Sequence, residues 1–94
     1  MYLHLGNDIL VLTKDIVGIF DIENSTISKA TKNFLASSEK AGRVINVSTE
    51  LPKSFIVCSG KDKNDPNDVY IYISQISPTT LKKRSGFLEE ISNV

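Results

Sequence analysis

Three consecutive basic residues, Lys82, Lys83 and Arg84, are the residues whose type and spacing most suggest chemistry. Cations set side by side can grip the phosphates of a polyanion, and they can equally form the wet side of a helix. The other reactive types point to less. His4 is the single histidine and alternates with Leu3 and Leu5, so it reads as a structural or surface side chain. Cys58 is the single cysteine, so an intramolecular disulfide is excluded, and within the apolar run SFIVC it reads as a small buried hydrophobe. Asp62, Asp65 and Asp68 recur every third position in a polar tract, without the spacing or terminal glutamate of a calcium loop. No Cys/His cluster has metal-ligand spacing, no glycine-rich loop opens a helix, and no serine sits in a nucleophile elbow. The expectation is a protein that is not an enzyme and carries neither metal nor cofactor.

Charge bounds the polyanion reading. Eleven Lys and Arg balance eleven Asp and Glu among 94 residues, for a formal net charge of zero. A protein that attracts nucleic acid by its overall field carries a positive surplus, so a DNA surface here has to come from local clustering or from repetition in an oligomer. Tyr70 and Tyr72 share one face of the strand VYIYIS. They read as a cross-strand packing pair, or as an interface or stacking platform, since tyrosine is enriched at both.

The elements that must position these residues follow from period and punctuation. YLHL and ILVLT flank GND, a tract that supplies positive φ, so a tight hairpin is predicted. DIVGIFDI is a strand too apolar to be freely solvated, and Gly18 marks a bulge or a place where another backbone approaches closely. Residues 26–41 switch to helical period, with Ile27, Ala30, Phe34, Leu35 and Ala41 on one face. Ser25 or Thr26 is expected to cap its start, and Gly42 suits the left-handed position past its end. Three strands follow, RVINV, SFIVCS and VYIYIS, the last two joined by the surface loop GKDKNDPND. Ser77 as N-cap and Pro78 at the first helical position open a final helix. At 100° per residue, Leu81, Phe87, Leu88 and Ile91 cover a stripe about 120° wide, enough to dock on a sheet. Lys82 and Lys83 fall off that stripe. Arg84 falls within it, where a guanidinium would meet a carboxylate or backbone carbonyls, inside the fold or across an interface.

The order βββ-α-βββ-α predicts an α+β protein, one domain over residues 1–94, with a small, mostly antiparallel sheet and the C-terminal helix packed on it. A core of this size is modest, burying roughly 60–65% of the unfolded surface, so assembly into a homo-oligomer would add useful burial. MYLHLG shows no leader pattern and no apolar run approaches membrane length, which reads as a soluble cytoplasmic protein without a membrane partner.

Four stretches in order, MYLHLG, DIVGIFD, PKSFIV and VYIYISQISPTTLKKR, resemble the extracellular matrix regulator (RemA/RemB) family of Gram-positive bacteria, and within it the RemB branch. The resemblance runs from Met1 to about Arg84. A fainter one, confined to SFIV, VYIYIS and TLKKR, is to LytTR-type DNA-binding domains. The family resemblance implies a regulator of matrix or biofilm genes and, in the RemA branch, ring-like homo-oligomers that present arginines to DNA. Those arginines carry over poorly. Glu50 and Leu51 stand where the resemblance leads one to expect basic residues, Lys53 alone remains, and a second basic position falls on Asp15 with Lys14 beside it. The loop GKDKNDPND is also longer than the family usually has there.

Two readings result. One is an oligomeric transcriptional regulator that contacts double-stranded DNA through Lys14, Lys53, Lys82 and Lys83, with Arg84, Tyr70 and Tyr72 as interface or structural ion-pair candidates. The other is an oligomeric structural module of the same fold that binds a regulatory protein partner and no DNA.

Overall fold

The structure, a computed structural model, describes residues 1–22 and 28–85. Strands β1 (Tyr2–Gly6) and β2 (Ile9–Leu12) pair antiparallel as a separate two-stranded hairpin. Its turn has the predicted handedness: φ is 112° at Gly6, 46° at Asn7 and 65° at Asp8, values tolerated by glycine, asparagine and aspartate. A short 3-10 turn over Thr13–Asp15 leads into β3 (Ile16–Asp21). Then come α1 (Lys29–Lys40), β4 (Val44–Asn46), β5 (Ser54–Ser59), β6 (Val69–Ser74) and α2 (Pro78–Ser85).

The last four strands form one sheet in the order β3-β5-β6-β4. Both β3 and β6 run antiparallel to β5, and β4 runs parallel to β6. It follows that β3 and β4 point the same way from opposite edges, which is why a helix must cross between them. The sheet is therefore mostly antiparallel and the fold α+β, with two strands inserted between the halves of a crossover unit. At Gly18 the register with β5 shifts, so Val17 is the extra residue of a bulge. The bulge expectation for Gly18 is therefore met; what a Cβ there would meet, at 2.6 Å, is the Phe20 ring and not another backbone.

The sheet is apolar on both faces, and β5 accordingly reads as a continuous buried run. On one face Ile19, Ile56 and Cys58 pack with Leu3, Leu5 and Val11 of the hairpin, Val47, and Leu81 of α2, with Tyr72 at the margin. On the other, Phe55, Val57 and Ile71 pack with Val44, Val69, Ile73, Ile22 and Leu35 of α1. Two buried serines stitch the first face together. Ser74 Oγ donates to the Leu5 carbonyl at 2.8 Å and accepts from the Ile76 N–H at 3.0 Å, and Ser54 Oγ donates to the Ile76 carbonyl at 2.8 Å.

Both helices are rotated from the faces their periodicity predicts. In α1 the inward positions are Leu35 and the buried Ser38, while Ala30, Phe34 and Ala41 are exposed. A small residue lets the helix approach a face already filled by Ile71 and Phe55, and Ser38 satisfies its hydroxyl on the Phe34 carbonyl at 2.8 Å. The cap is Ser28, whose Oγ accepts from the Thr31 N–H at 3.1 Å; Ser25, Thr26 and Ile27 lie outside the described residues. Gly42, at φ 73°, takes its expected place past the helix end. In α2, Ser77 caps the Thr80 N–H as predicted, and the buried residues are Leu81 and Ser85. Phe87, Leu88 and Ile91 of the predicted stripe lie outside the described residues. No helix among the described residues is long and apolar enough to cross a membrane.

Candidate nucleic-acid interface

Lys53 and Lys14 lie at opposite ends of the sheet, and Lys82 and Lys83 lie in the last turn of α2. Lys53 immediately precedes β5, its N–H donating to the Ser74 carbonyl at 2.9 Å and its carbonyl accepting from the Ile22 N–H at 3.0 Å. Its backbone is thus rigidly held while its side chain is exposed. The same end of the sheet leads into α2, where Lys82 is half-buried and Lys83 exposed. Lys14 sits in the 3-10 turn at the start of β3, opposite the Ser59 end of β5. At about 3.3 Å per residue, the two ends of β5 are about 17 Å apart, roughly half a helical turn of duplex DNA.

Arg84 is exposed and flanks the buried side of α2 rather than lying within it. The buried side is centred between Leu81 and Ser85, because a small serine, bonded to the Lys82 carbonyl at 2.8 Å, lets α2 sit close to β1 and β3. Among the described residues no carboxylate forms an ion pair with Arg84.

The residues missed by sequence reading lie at the Lys14 end. The loop between β5 and β6 folds back on itself: the Asp62 N–H donates to Asp68 Oδ2 at 2.8 Å, and the Asp62 and Asp65 carboxylates accept from the Asn64 and Asn67 N–H groups at 3.1 and 2.9 Å. The three aspartates are therefore occupied in shaping the loop. Arg43 anchors it from beside α1, donating to Asp68 Oδ1 at 2.6 Å and to the Val69 carbonyl at 3.3 Å, with its guanidinium 4.9 Å above the Tyr70 ring. The hydrogen bond from Arg43, helped by the Asp62 N–H, holds the Asp68 carboxyl below its ordinary pKa, although partial burial works against this. On the other side of the loop, Lys63 Nζ pairs with Asp15 Oδ1 of the 3-10 turn.

This folding leaves a cleft of about 400 Å³ lined by Lys14, Lys61, Lys63, Tyr70, Leu12 and Asp15, among others. Tyr70 is exposed at its wall, whereas Tyr72 on the same strand is half-buried against the core. The two tyrosines differ in burial, but together they line a further recess with Tyr2 and Leu10. Burial raises the Tyr72 hydroxyl pKa, and it pushes the Cys58 thiol up to about 11. The signal for the cleft was present in the sequence as Lys61 and Lys63, but only the return of the loop onto Asp15 brings them to Lys14.

The profile of the family described as "RemA-like: Extracellular matrix regulatory protein A-like" matches residues 2–85. The chain is also 38% identical over 93 residues to extracellular matrix regulatory protein B of Bacillus subtilis (strain 168), covering 99% of this chain and 100% of that relative. The match spans the hairpin, the sheet and both described helices: the chain belongs to the RemA-like family of extracellular matrix regulatory proteins.

Proposed function

We propose that this protein is a cytoplasmic transcriptional regulator of extracellular matrix and biofilm genes, working as a homo-oligomer that contacts double-stranded DNA through Lys14, Lys53, Lys82 and Lys83. The observation that carries the reading is the full-length likeness to extracellular matrix regulatory protein B. Assembly is supported by the apolar side chains left on the surface. Val17, 66% exposed, projects from the bulge of edge strand β3, and Leu10, 56% exposed, lies on the hairpin near Tyr2. Edge strands with exposed apolar side chains invite pairing with another copy. Repetition of the subunit would also multiply its few cations, which a zero net charge otherwise cannot concentrate.

Contacts made by lysine are point-charge contacts to phosphate, so binding should be largely indifferent to base sequence and steeply weakened by salt. Fluorescence anisotropy with duplexes of unrelated sequence, titrated with salt, tests this; binding that persists unchanged from low to high salt overturns it. Light scattering at micromolar concentration tests assembly, and a monomer mass overturns that part.

A second reading is favoured by the zero net charge together with the exposed apolar residues Tyr2, Leu10 and Val17. In it the oligomer binds a regulatory protein and no DNA. Absence of duplex binding at low salt, with assembly intact, selects this second reading.

A further inference from the structure

We infer that the cleft between the 3-10 turn and the β5–β6 loop is a phosphate-chain site in which Lys61 and Lys63 act with Lys14, and in which Asp15 serves as a built-in brake. The inference rests on the DNA-binding reading for its preferred ligand, the backbone of duplex DNA. The same chemistry would also accept a free polyphosphate.

Three observations converge on this cleft. The first is composition: three lysines from two separate segments, Lys14 and Lys61 with Lys63, line one concavity. Like charges gathered on one wall repel one another, and an anion seated between them relieves that repulsion. The second is that the loop has a defined shape. The Asp62, Asp65 and Asp68 carboxylates accept backbone N–H groups within it, and Arg43 clamps Asp68 from outside. A loop held in this way places Lys61 and Lys63 with less ordering cost than a free tail would incur. The third is the wall itself: Tyr70 and Leu12 flank the lysines, giving sugar and base edges an apolar surface beside the charged one.

Asp15 qualifies the site. Its carboxylate pairs with Lys63, whose ammonium also lies 3.5 Å from Ser59 Oγ, and Ser59 Oγ donates to the Asp15 carbonyl at 3.2 Å. The pair is solvated, so it contributes little to folding. Its consequence is electrostatic: one of the three cleft cations is neutralised until a phosphate competes for it. Removing the carboxylate without altering the backbone contacts raises the cleft's charge by one.

The experiment compares the parent with Lys61→Ala/Lys63→Ala, Asp15→Asn and Lys82→Ala/Lys83→Ala. Each is titrated with labelled duplex DNA over a salt series and with inorganic tripolyphosphate, and thermal melts confirm that each variant is folded. The loop variant is expected to bind duplex roughly tenfold more weakly at ~0.1 M salt, its salt slope flattened by about one unit per lost contact. Asp15→Asn is expected to bind roughly threefold more tightly with a steeper slope. Parent binding that is weakened by the helix variant but superimposes for the loop variant and Asp15→Asn overturns the cleft while leaving the DNA reading standing. Tripolyphosphate binding that depends on Lys61 and Lys63, without duplex binding, supports the phosphate site and sinks the DNA reading. A parent that binds neither anion overturns both.

Discussion

The two faces of the main sheet are closed to different degrees. Beneath the hairpin and α2, Leu3, Leu5, Ile56 and Leu81 are completely sealed, and two serines bridge the layers through buried hydrogen bonds. Beneath α1 the covering is thin: Leu35 is only half-buried, Phe34 is 41% exposed, and Phe20, stacked on Phe55 with ring centroids 5.0 Å apart, is 45% exposed. Both faces are lined mainly by apolar side chains, so the difference is one of coverage. A two-stranded hairpin plus a helix can roof a sheet of this width, whereas one twelve-residue helix cannot. The closed face holds the fold, and the open one has apolar surface to offer another molecule.

The largest effect should come from the closed face. Ile56→Ala should cost about 2–5 kcal/mol in urea unfolding, by lost burial and the cavity left behind. Phe34→Ala on α1 should cost well under half as much, because its ring keeps much of its exposure in the folded state. Equal losses at the two positions would break the comparison.

Next comes the polar stitch. Ser74→Ala strips the Leu5 carbonyl of its donor and the Ile76 N–H of its acceptor in a buried place. A loss of about 1–3 kcal/mol follows, read from the same unfolding curves. Ser74→Thr, which keeps the hydroxyl, should recover part of it if the added methyl is accommodated.

The acid limb of the pH profile should be moderate and traceable to the loop anchor. The Asp68 carboxyl is held below its ordinary pKa in the folded state. Its contribution is therefore present above the unfolded value, near 4, and is lost as pH falls through the lower folded value. Asp68→Asn should flatten the melting temperature against pH in that window. An unchanged acid limb would show that the Arg43 pair is irrelevant to folding.

The smallest effects belong to α2. Arg84 is exposed, so Arg84→Ala should change folding by less than about 0.5 kcal/mol, as should Lys82→Ala and Lys83→Ala. A sizeable loss at Arg84 in the assembled protein, concentration-dependent and absent on dilution, would place that residue at a subunit contact.

Much of the fold was legible from local chemistry. The hairpin turn at GND, the bulge at Gly18, the helix end at Gly42, the Ser77–Pro78 helix start and the burial of Cys58 each depend on what one residue can do with its own backbone or solvent exposure. The order of elements followed from these marks, because turns and caps are encoded within a few residues. Three things depended on the tertiary structure. The parallel pairing of β4 with β6 is set by which edge α1 reaches after crossing the sheet. The inward faces of the helices were chosen by fit: Ser38 and Ser85 allow close approach where periodicity alone favoured Phe34 and the Arg84 side. The cleft required Asp15 and Lys63, 48 residues apart, to meet. Hydrophobic period reports which residues avoid water. It carries no information on which surface-bound charges will come to share a wall, since that is decided by how a loop returns across the sheet.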